Sequence, residues 1–376
     1  MPPNFKRYGC GLYIFTHSLK IILKLLSGTK NKAGSYYASL DVLRFIAVLV
    51  SFLTHSKISD FLHGHTFFFL VSGFILTNLA QKEYDYDHKF SLLNFIMRRV
   101  LRTVPVYYLI LFVGFILVPA FSDKAVSVPN PIYYLTFTAN YINDDHIFIL
   151  TLLWAISVQE QFYLFISLVY RFLYKYLIYV IVLMFGVSFL YKYIAIHEGW
   201  NLYSHTLNHF VSFGSGVLLS IAVQRDWLKR LYRLPKWVNA LIYILIGGIL
   251  YFSTSLYTFF WWSYLDNLVV SLCFSYVILE QCFFSNRIVP LERFTSLQYL
   301  GRISYGLYCY QGIVITFGNV MEDRLGLGLN PYALVAVNFL CLIAISHISY
   351  QYFESRFLGL KEKFRNYPSL KRPALK

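Results

Sequence analysis

The sequence predicts an all-α, polytopic membrane protein with about ten transmembrane helices and both termini in the cytoplasm. Composition, recurrent apolar segments and the distribution of basic residues support this fold class. Of 376 residues, 57% are hydrophobic and only 14% are charged. Soluble domains hold about half apolar and about a quarter charged residues. The composition therefore excludes an ordinary soluble domain.

Apolar segments recur along the chain at lengths that suit a bilayer. Ten of them predict transmembrane helices, and they centre on residues 40–56, 61–80, 104–121, 149–172, 176–191, 207–223, 237–252, 260–283, 303–320 and 332–353. The spans follow one another too closely for a separate soluble domain. We therefore divide the chain into a cytoplasmic or interfacial segment (1–38), a ten-helix membrane domain (39–358) and a basic cytoplasmic tail (359–376).

Basic residues lie mostly on one side of this arrangement. With the N-terminus inside, the inner segments hold 28 Lys and Arg, and the outer ones hold four. Cytoplasmic loops carry such an excess, so the bias predicts the orientation. It also accounts for the net charge of +15 without a nucleic-acid partner. An amphipathic stretch at 11–28 predicts a helix lying in the cytoplasmic membrane interface. The five cysteines have no metal-ligand spacing, which favours small buried side chains over disulfides.

Arg44 and His55 place two polar groups on one stripe of the first span. They are eleven positions apart, so on a helix they lie within ~20° of one face and ~16 Å apart along the axis. Asp41 precedes Arg44 by three residues and can pair with it. Buried charges of this kind are tolerated where they face a protein interior or a wet cavity. The stripe therefore predicts a polar channel.

Three motifs in order carry a family resemblance. The spacing from Arg44 to His55 is similar to the Arg-x10-His pattern of the integral-membrane acyltransferase-3 family, whose members mostly O-acetylate sugars. Residues 68–77 (FFLVSGFILT) resemble its FF-x-x-SGF segment, and residues 95–107 (FIMRRVLRTVPVY) its F-x-x-RR-x-x-R-x-x-P-x-Y segment. The resemblance extends from about residue 40 to about residue 360.

The resemblance implies an O-acetyltransferase whose donor is acetyl-CoA, with no metal. His55 would be the general base, because a neutral imidazole can accept a hydroxyl proton and return it to a leaving thiolate. Arg44 would bind acyl-CoA or support the site. Arg98, Arg99 and Arg102 would bind CoA phosphates, which guanidinium groups suit. Positive-inside topology is the alternative reason for these arginines.

Two segments match with departures. Residues 154–165 (WAISVQEQFYLF) resemble a family segment in which Gln159 takes a commonly acidic position and Glu160 follows in a variable one. The two side chains lie ~100° apart on a helix, so Glu160 cannot simply replace Gln159. Gln159, Tyr163 and Glu160 are candidates for binding the acceptor sugar. Gln311 stands where histidine is common in the family, and we include it among the substrate-binding candidates.

The resulting hypothesis is acyl transfer to a hydroxyl of a cell-surface or lipid-linked glycan, in the bacterial cytoplasmic membrane. Partners would be the glycan acceptor and the lipid bilayer. Two alternatives stay open: a transporter or flippase of lipid-linked sugars, and a catalytically decayed membrane partner marked by Gln159 and Gln311.

Overall fold

The fold is seen in a computed structural model that describes residues 36–61, 63–87, 89–121, 127–142, 147–326 and 328–364. Most of these residues are helical, and no strand occurs among them. The predicted interfacial helix at 11–28 and most of the predicted basic tail lie outside the described residues.

Sixteen α-helices are described, and we number them in chain order. They are α1 (Ala38–His55), α2 (Gly64–Asp87), α3 (Leu92–Phe112), α4 (Val118–Phe121), α5 (Pro131–Leu135), α6 (Phe148–Thr151), α7 (Trp154–Phe172), α8 (Leu177–Glu198), α9 (Phe210–Gln224), α10 (Lys236–Tyr251), α11 (Ser253–Leu256), α12 (Trp262–Phe283), α13 (Thr295–Arg302), α14 (Ser304–Leu325), α15 (Pro331–Ser349) and α16 (Ser355–Leu360). A π-helical turn, Val113–Leu117, joins α3 to α4, and a second one, Tyr350–Glu354, joins α15 to α16.

Each predicted span overlaps one or two of these helices. Seven helical segments in the described part are long and apolar enough to cross a membrane. Their ranges are Ala38–His55, Leu92–Ala120, Phe148–Phe172, Tyr174–Glu198, Thr206–Gln224, Trp262–Phe283 and Pro331–Phe364. The other three predicted spans correspond to α2, α10 and α14, which are helical but lie outside this set. An all-helical membrane fold is thus confirmed, whereas the count of ten and the orientation stay predictions.

Local sequence sets the helix ends. The Ser91 hydroxyl accepts a hydrogen bond from the Asn94 backbone N–H at the start of α3. Asn330 caps α15 in the same way through the Tyr332 N–H, at 2.9 Å, and Pro331 follows as the first helical residue. Gly326 ends α14 with a φ of +57°, in the left-handed region that glycine enters at little cost. Gly326 and Asn330 thus make α14 and α15 two separate helices.

Helices α2 and α9 cross with their backbones in contact. An added Cβ on Gly73 would lie 2.2 Å from the Phe213 carbonyl oxygen, and one on Gly216 would lie 2.0 Å from the Leu70 carbonyl oxygen. Small residues permit such close crossings inside membranes. Gly73 belongs to the SGF segment of α2, and the close crossing explains why a glycine occupies this position. The crossing fixes the face of α2 that carries Ser72.

The buried apolar side chains form three clusters around α1, α2, α3 and α7. Helix α13 adds a second close contact, because a Cβ on Gly301 would lie 1.8 Å from the Asp41 carbonyl oxygen of α1. Helix α14 packs beside α1 and α3 in the first cluster. A cavity remains where α1, α2, α3, α7 and α14 converge.

Candidate active site

The arginine cavity, as we call it, has a volume of about 80 Å³ and is lined by Arg44 of α1 together with Arg99 and Arg102 of α3. Gln159 and Tyr163 of α7 line the same space. Five of the nine residues predicted for the site therefore share one cavity. None of the described residues that line it is acidic. Its polar character is consequently cationic.

Arg44 lies in the N-terminal part of α1, where an ion pair holds its side chain. Its Nη1 lies 3.5 Å from Oδ1 of Asp41, one turn earlier, as the sequence predicts. Asp41 is buried and is also 4.0 Å from Nε of Arg302. The Tyr36 hydroxyl donates to the same carboxylate. Asp41 thus fixes one end of the cavity by binding several groups from different segments.

Arg99 lies against aromatic rings inside the protein. Its guanidinium carbon is 5.5 Å from the centre of the Tyr163 ring and 5.8 Å from that of Phe95. An arginine over an aromatic face is attracted by the ring's quadrupole. The Arg99 side chain is 8% exposed, so little water competes with these contacts. Arg99 is therefore positioned before any ligand arrives.

Arg98 has a different location from its two neighbours. Its Nη2 donates to Oε2 of Glu83 at 2.5 Å, and its Nη1 donates to the Phe364 carbonyl oxygen at 2.6 Å. Arg98 and Glu83 are both buried. Arg98 is not among the residues that line the arginine cavity. The ion pair ties α3 to α2, and the carbonyl contact ties α3 to the end of the described chain.

Gln159 joins two helices across the cavity wall. Its Nε2 donates to the Ser72 hydroxyl at 2.5 Å and also to the Tyr163 hydroxyl. The Ser72 and Tyr163 oxygens are themselves 3.3 Å apart. All three side chains line the arginine cavity. They provide a compact group of neutral donors and acceptors opposite the arginines.

Glu160, the next residue on the helix, is not among the residues that line the cavity. Its carboxylate lies near Thr103 and Arg99, which do line it. The Oε1 atom is buried without a hydrogen-bond partner. Gln159, rather than Glu160, therefore presents its side chain to the cavity.

His55 lies at the last position of α1, outside the set of residues that line the cavity. Its Nδ1 is 3.4 Å from the Ser51 hydroxyl. The Gln311 amide approaches the His55 ring, although neither amide atom has a hydrogen bond of good geometry. Gln311 is fully buried. The structure thus brings together two predicted residues that are 256 positions apart.

His65 is a cavity residue that sequence reasoning missed. It is the second residue of α2 and lines the arginine cavity. Helix α2 is the next helix after α1, whose last residue is His55. Its ring centre is 5.0 Å from that of His209 and 5.3 Å from that of Trp154. The sequence offered one signal, an ionisable residue three positions before Phe68 at the start of a matched segment. A lone histidine beside an apolar run did not specify a cavity.

The arrangement can bind an anionic ligand through three guanidinium groups and hydrogen-bond a neutral group beside them. The apolar helices and this site together define an integral membrane protein with a cationic cavity among its helices. A model of the acyltransferase domain family matches residues 37–350. The chain belongs to this family of acyltransferases.

The chain is also similar to individual curated proteins. It is 26% identical over 367 residues to a Staphylococcus aureus (strain COL) protein provisionally named an O-acetyltransferase, with 88% of this chain and 58% of that protein covered. It is 30% identical over 152 residues to O-acetyltransferase OatA of S. aureus (strain NCTC 8325), covering 37% of this chain and 25% of that protein. The chain thus spans just over half the length of the first relative. No solved structure matches it.

Proposed function

We propose that this protein transfers an acetyl or short acyl group from cytosolic acyl-CoA to a hydroxyl of a cell-surface or lipid-linked glycan. The observation that carries the proposal is that Arg44, Arg99 and Arg102 line one cavity, and that none of the described residues lining it is acidic. Clustered arginines within a membrane domain are costly and mark functional sites. Family membership specifies acyl transfer as the chemistry.

Acyl-CoA is the donor that this cavity suits. Its phosphates carry negative charge, and guanidinium groups bind phosphate oxygens with paired hydrogen bonds. Arg102 and Arg99 would contact the phosphates, while Arg44 would contact the donor nearer the first helix. With the predicted orientation, these arginines lie toward the cytosol, where acyl-CoA is made. Arg98 would then act indirectly, because Glu83 already occupies its guanidinium.

His55 would serve as the general base. It would accept the proton of the glycan hydroxyl as the hydroxyl oxygen attacks the thioester carbonyl. A carbon–oxygen ester bond then forms, the carbon–sulfur bond breaks, and the proton passes from the imidazole to the departing CoA thiolate. Binding both substrates together supplies the proximity that the reaction needs. Gln311, beside His55, would orient the ring.

The relatives support O-acetyl transfer, because their names describe O-acetyltransferases, and the chain covers only part of each. A bacterial cytoplasmic membrane would place the arginine end inside and the His55 end toward the outer surface. The Ser72, Gln159 and Tyr163 group would hydrogen-bond the acyl group or the attacking hydroxyl.

Radiolabelled acetyl-CoA tests the proposal in native membranes that contain the acceptor. We expect the wild-type protein to release CoA and transfer label to a glycan fraction. His55→Ala should reduce transfer by about 10²- to 10⁴-fold, the contribution of a general base. His197→Gln is the matched control, because His197 is exposed and contacts the carbonyl of Tyr193 on its own helix. An equal loss of activity in the control would point to expression rather than chemistry.

The same experiment separates the two alternative functions. A transporter of lipid-linked sugars would bind sugar but would neither cleave acetyl-CoA nor transfer label. A decayed partner would give no activity with either the wild-type or the variant protein. His55→Ala retaining more than about a tenth of wild-type transfer would contradict the general-base role.

A further inference from the structure

The first turn of helix α14 lies between the two helices that carry the cavity arginines. The Tyr305 hydroxyl donates to the Thr103 carbonyl oxygen at 2.7 Å, which holds this turn against α3. In α13, which a single residue separates from α14, Gly301 packs against the Asp41 backbone of α1. Ser304 and Tyr305 both line the arginine cavity. Contacts with α1 and with α3 therefore hold the start of α14 at the cavity.

The Ser304 hydroxyl is available to a ligand in this cavity. Ser304 is 5% exposed and lines the cavity, yet its side chain makes no hydrogen bond to any residue that the structure describes. Buried hydroxyl groups are normally hydrogen-bonded, because leaving one unpaired costs free energy. By contrast, the Tyr308 hydroxyl in the next turn of α14 donates to the Leu152 carbonyl oxygen at 2.9 Å. Ser304 thus brings an unused donor to the cavity wall.

The backbone at the start of α14 adds further donors. Helix α14 is 22 residues long, and Ser304 is its first residue. The first backbone N–H groups of a helix have no partner within that helix. The N-terminus of a helix also carries about half a positive charge, so that phosphate groups bind readily there. The start of α14 therefore has the donors and the polarity of a phosphate site.

The side chains around this helix start are positively charged in excess. Arg44 and Arg302 both lie near Asp41, with guanidinium nitrogens 3.5 and 4.0 Å from its carboxylate oxygens. One carboxylate offsets only one of these two cations. Arg99 and Arg102 line the cavity from α3, and none of the described lining residues is acidic. An anion bound here would meet favourable groups from α1, α3 and α14.

We infer that the start of α14 binds the pyrophosphate of the acyl-CoA donor through the Ser304 hydroxyl and the first backbone N–H groups of the helix. This inference rests on the proposed function, and it names the part of the donor that these groups recognise. Coenzyme A carries its pyrophosphate between the pantetheine arm and the adenosine, and a separate phosphate on the ribose. The pyrophosphate is thus the phosphate group nearer the thioester. Because Arg44 and His55 are ~16 Å apart along α1, the pantetheine arm would span the distance from this site to the base.

Binding of donor fragments tests this assignment without any turnover. Full-length protein in lipid nanodiscs is titrated by calorimetry with CoA, with dephospho-CoA, which lacks only the ribose phosphate, and with pantetheine, which lacks every phosphate. Ser304→Ala should weaken CoA and dephospho-CoA by the same factor of about tenfold, the effect of losing a hydrogen bond to a charged group. Pantetheine should bind to Ser304→Ala as it does to the wild type.

Three results would overturn the assignment. If Ser304→Ala weakens CoA but leaves dephospho-CoA unchanged, the serine binds the ribose phosphate instead. If the variant weakens pantetheine as much as CoA, the phosphates are not what the serine contacts. If all three affinities are unchanged, Ser304 binds no part of the donor.

Ser304→Asp separates the site from the fold. An acidic residue in the first turn of a helix interacts favourably with the helix dipole, so the melting temperature should be retained or raised. The same carboxylate would repel a pyrophosphate and compete with it for Arg44. We therefore expect CoA to bind Ser304→Asp more weakly than Ser304→Ala. Binding of CoA to the aspartate variant at wild-type strength would contradict an anion site at the start of α14.

Ser271→Ala in α12 is the matched control. The Ser271 hydroxyl is also buried and has no hydrogen-bond partner, but Ser271 does not line the arginine cavity. This variant should bind CoA as the wild type does. A loss of CoA affinity equal to that of Ser304→Ala would show that removing any buried hydroxyl has this effect, and would overturn the assignment.

Failure of this assignment and failure of the proposed function give different results. CoA binding that depends on Ser304, without acetyl transfer, would keep the pyrophosphate site and remove the proposed function. Acetyl transfer with a KM for acetyl-CoA that Ser304→Ala leaves unchanged would do the reverse. If both stand, Ser304→Ala should raise this KM with kcat unchanged, because the contact is equally present in the ground state and the transition state.

Discussion

The amide nitrogen of Gln159 lies 2.5 Å from the Ser72 hydroxyl, linking α7 to the SGF segment of α2 across the arginine cavity. Glu160, next in sequence, is not among the residues that line that cavity. The hydrogen-bonding group at this wall is therefore a neutral amide. The adjacent carboxylate lies on another face of the helix.

Three variants test the role of this amide. Gln159→Leu should reduce acetyl transfer by roughly 5- to 150-fold, because Ser72 and Tyr163 lose a donor in a buried site at a cost of about 1–3 kcal/mol. Gln159→Glu should be tolerated or mildly harmful, since a carboxyl group still hydrogen-bonds there. Glu160→Gln should have little effect on transfer. Side-by-side assays of glycan acetylation decide the matter, and a fully active Gln159→Leu protein would remove Gln159 from the site.

The sequence predicted the helices well because a bilayer leaves few alternatives. An apolar segment of membrane length satisfies its backbone only as a helix or in a closed barrel. Each of the ten predicted spans is helical in the described residues. The Arg44–His55 spacing likewise depends only on helix geometry. Local rules were sufficient for both features.

The sequence did not show which of the clustered arginines line the cavity and which one forms a buried ion pair. Arg98 and Arg102 are one helical turn apart, and both precede an apolar run. Only the fold brings Glu83 to Arg98 and leaves Arg102 at the cavity. The cavity that His63 and His209 line was missed for a similar reason, since these two residues come from distant segments. Contacts between such segments depend on packing that no local pattern records.

Arg98 and Arg102 should therefore respond differently to the same substitution. Arg98→Gln leaves the Glu83 carboxylate, which is fully buried, without its cation. Removing one partner of a buried ion pair costs about 3–5 kcal/mol. We expect a lower melting temperature in detergent. A second change, Glu83→Gln, should restore much of that loss.

Arg102→Gln should instead raise the KM for acyl-CoA. Losing a hydrogen bond to a phosphate group costs about 1.5–3 kcal/mol, or about 10- to 150-fold in affinity. KM values at several salt concentrations provide the measurement, because phosphate contacts weaken as salt rises. An unchanged KM would leave Arg102 with a topological role only.

The α2–α9 crossing should not tolerate an added methyl group. Gly73→Ala places Cβ 2.2 Å from a backbone oxygen, so the two helices must separate. Overpacking of this kind costs typically about 1–3 kcal/mol. We expect less folded protein on size-exclusion chromatography and weaker acetyl transfer, because Ser72 moves with the helix. Gly186→Ala in α8 is the control, since nothing lies within 4 Å of its added Cβ. Equal behaviour of the two variants would contradict the close crossing.

Replacing Gln311 with leucine should lower the activity of the protein without lowering its stability. Its side chain is fully buried and neither amide atom has a partner, so leucine would remove two unsatisfied polar atoms at similar volume. Such a replacement is neutral or stabilising when no partner is left behind. Because the amide approaches the His55 ring, Gln311→Leu should nevertheless slow acetyl transfer. Melting temperature and transfer rate are measured on the same preparation. A fall in melting temperature with normal transfer would show that Gln311 supports the fold and not His55.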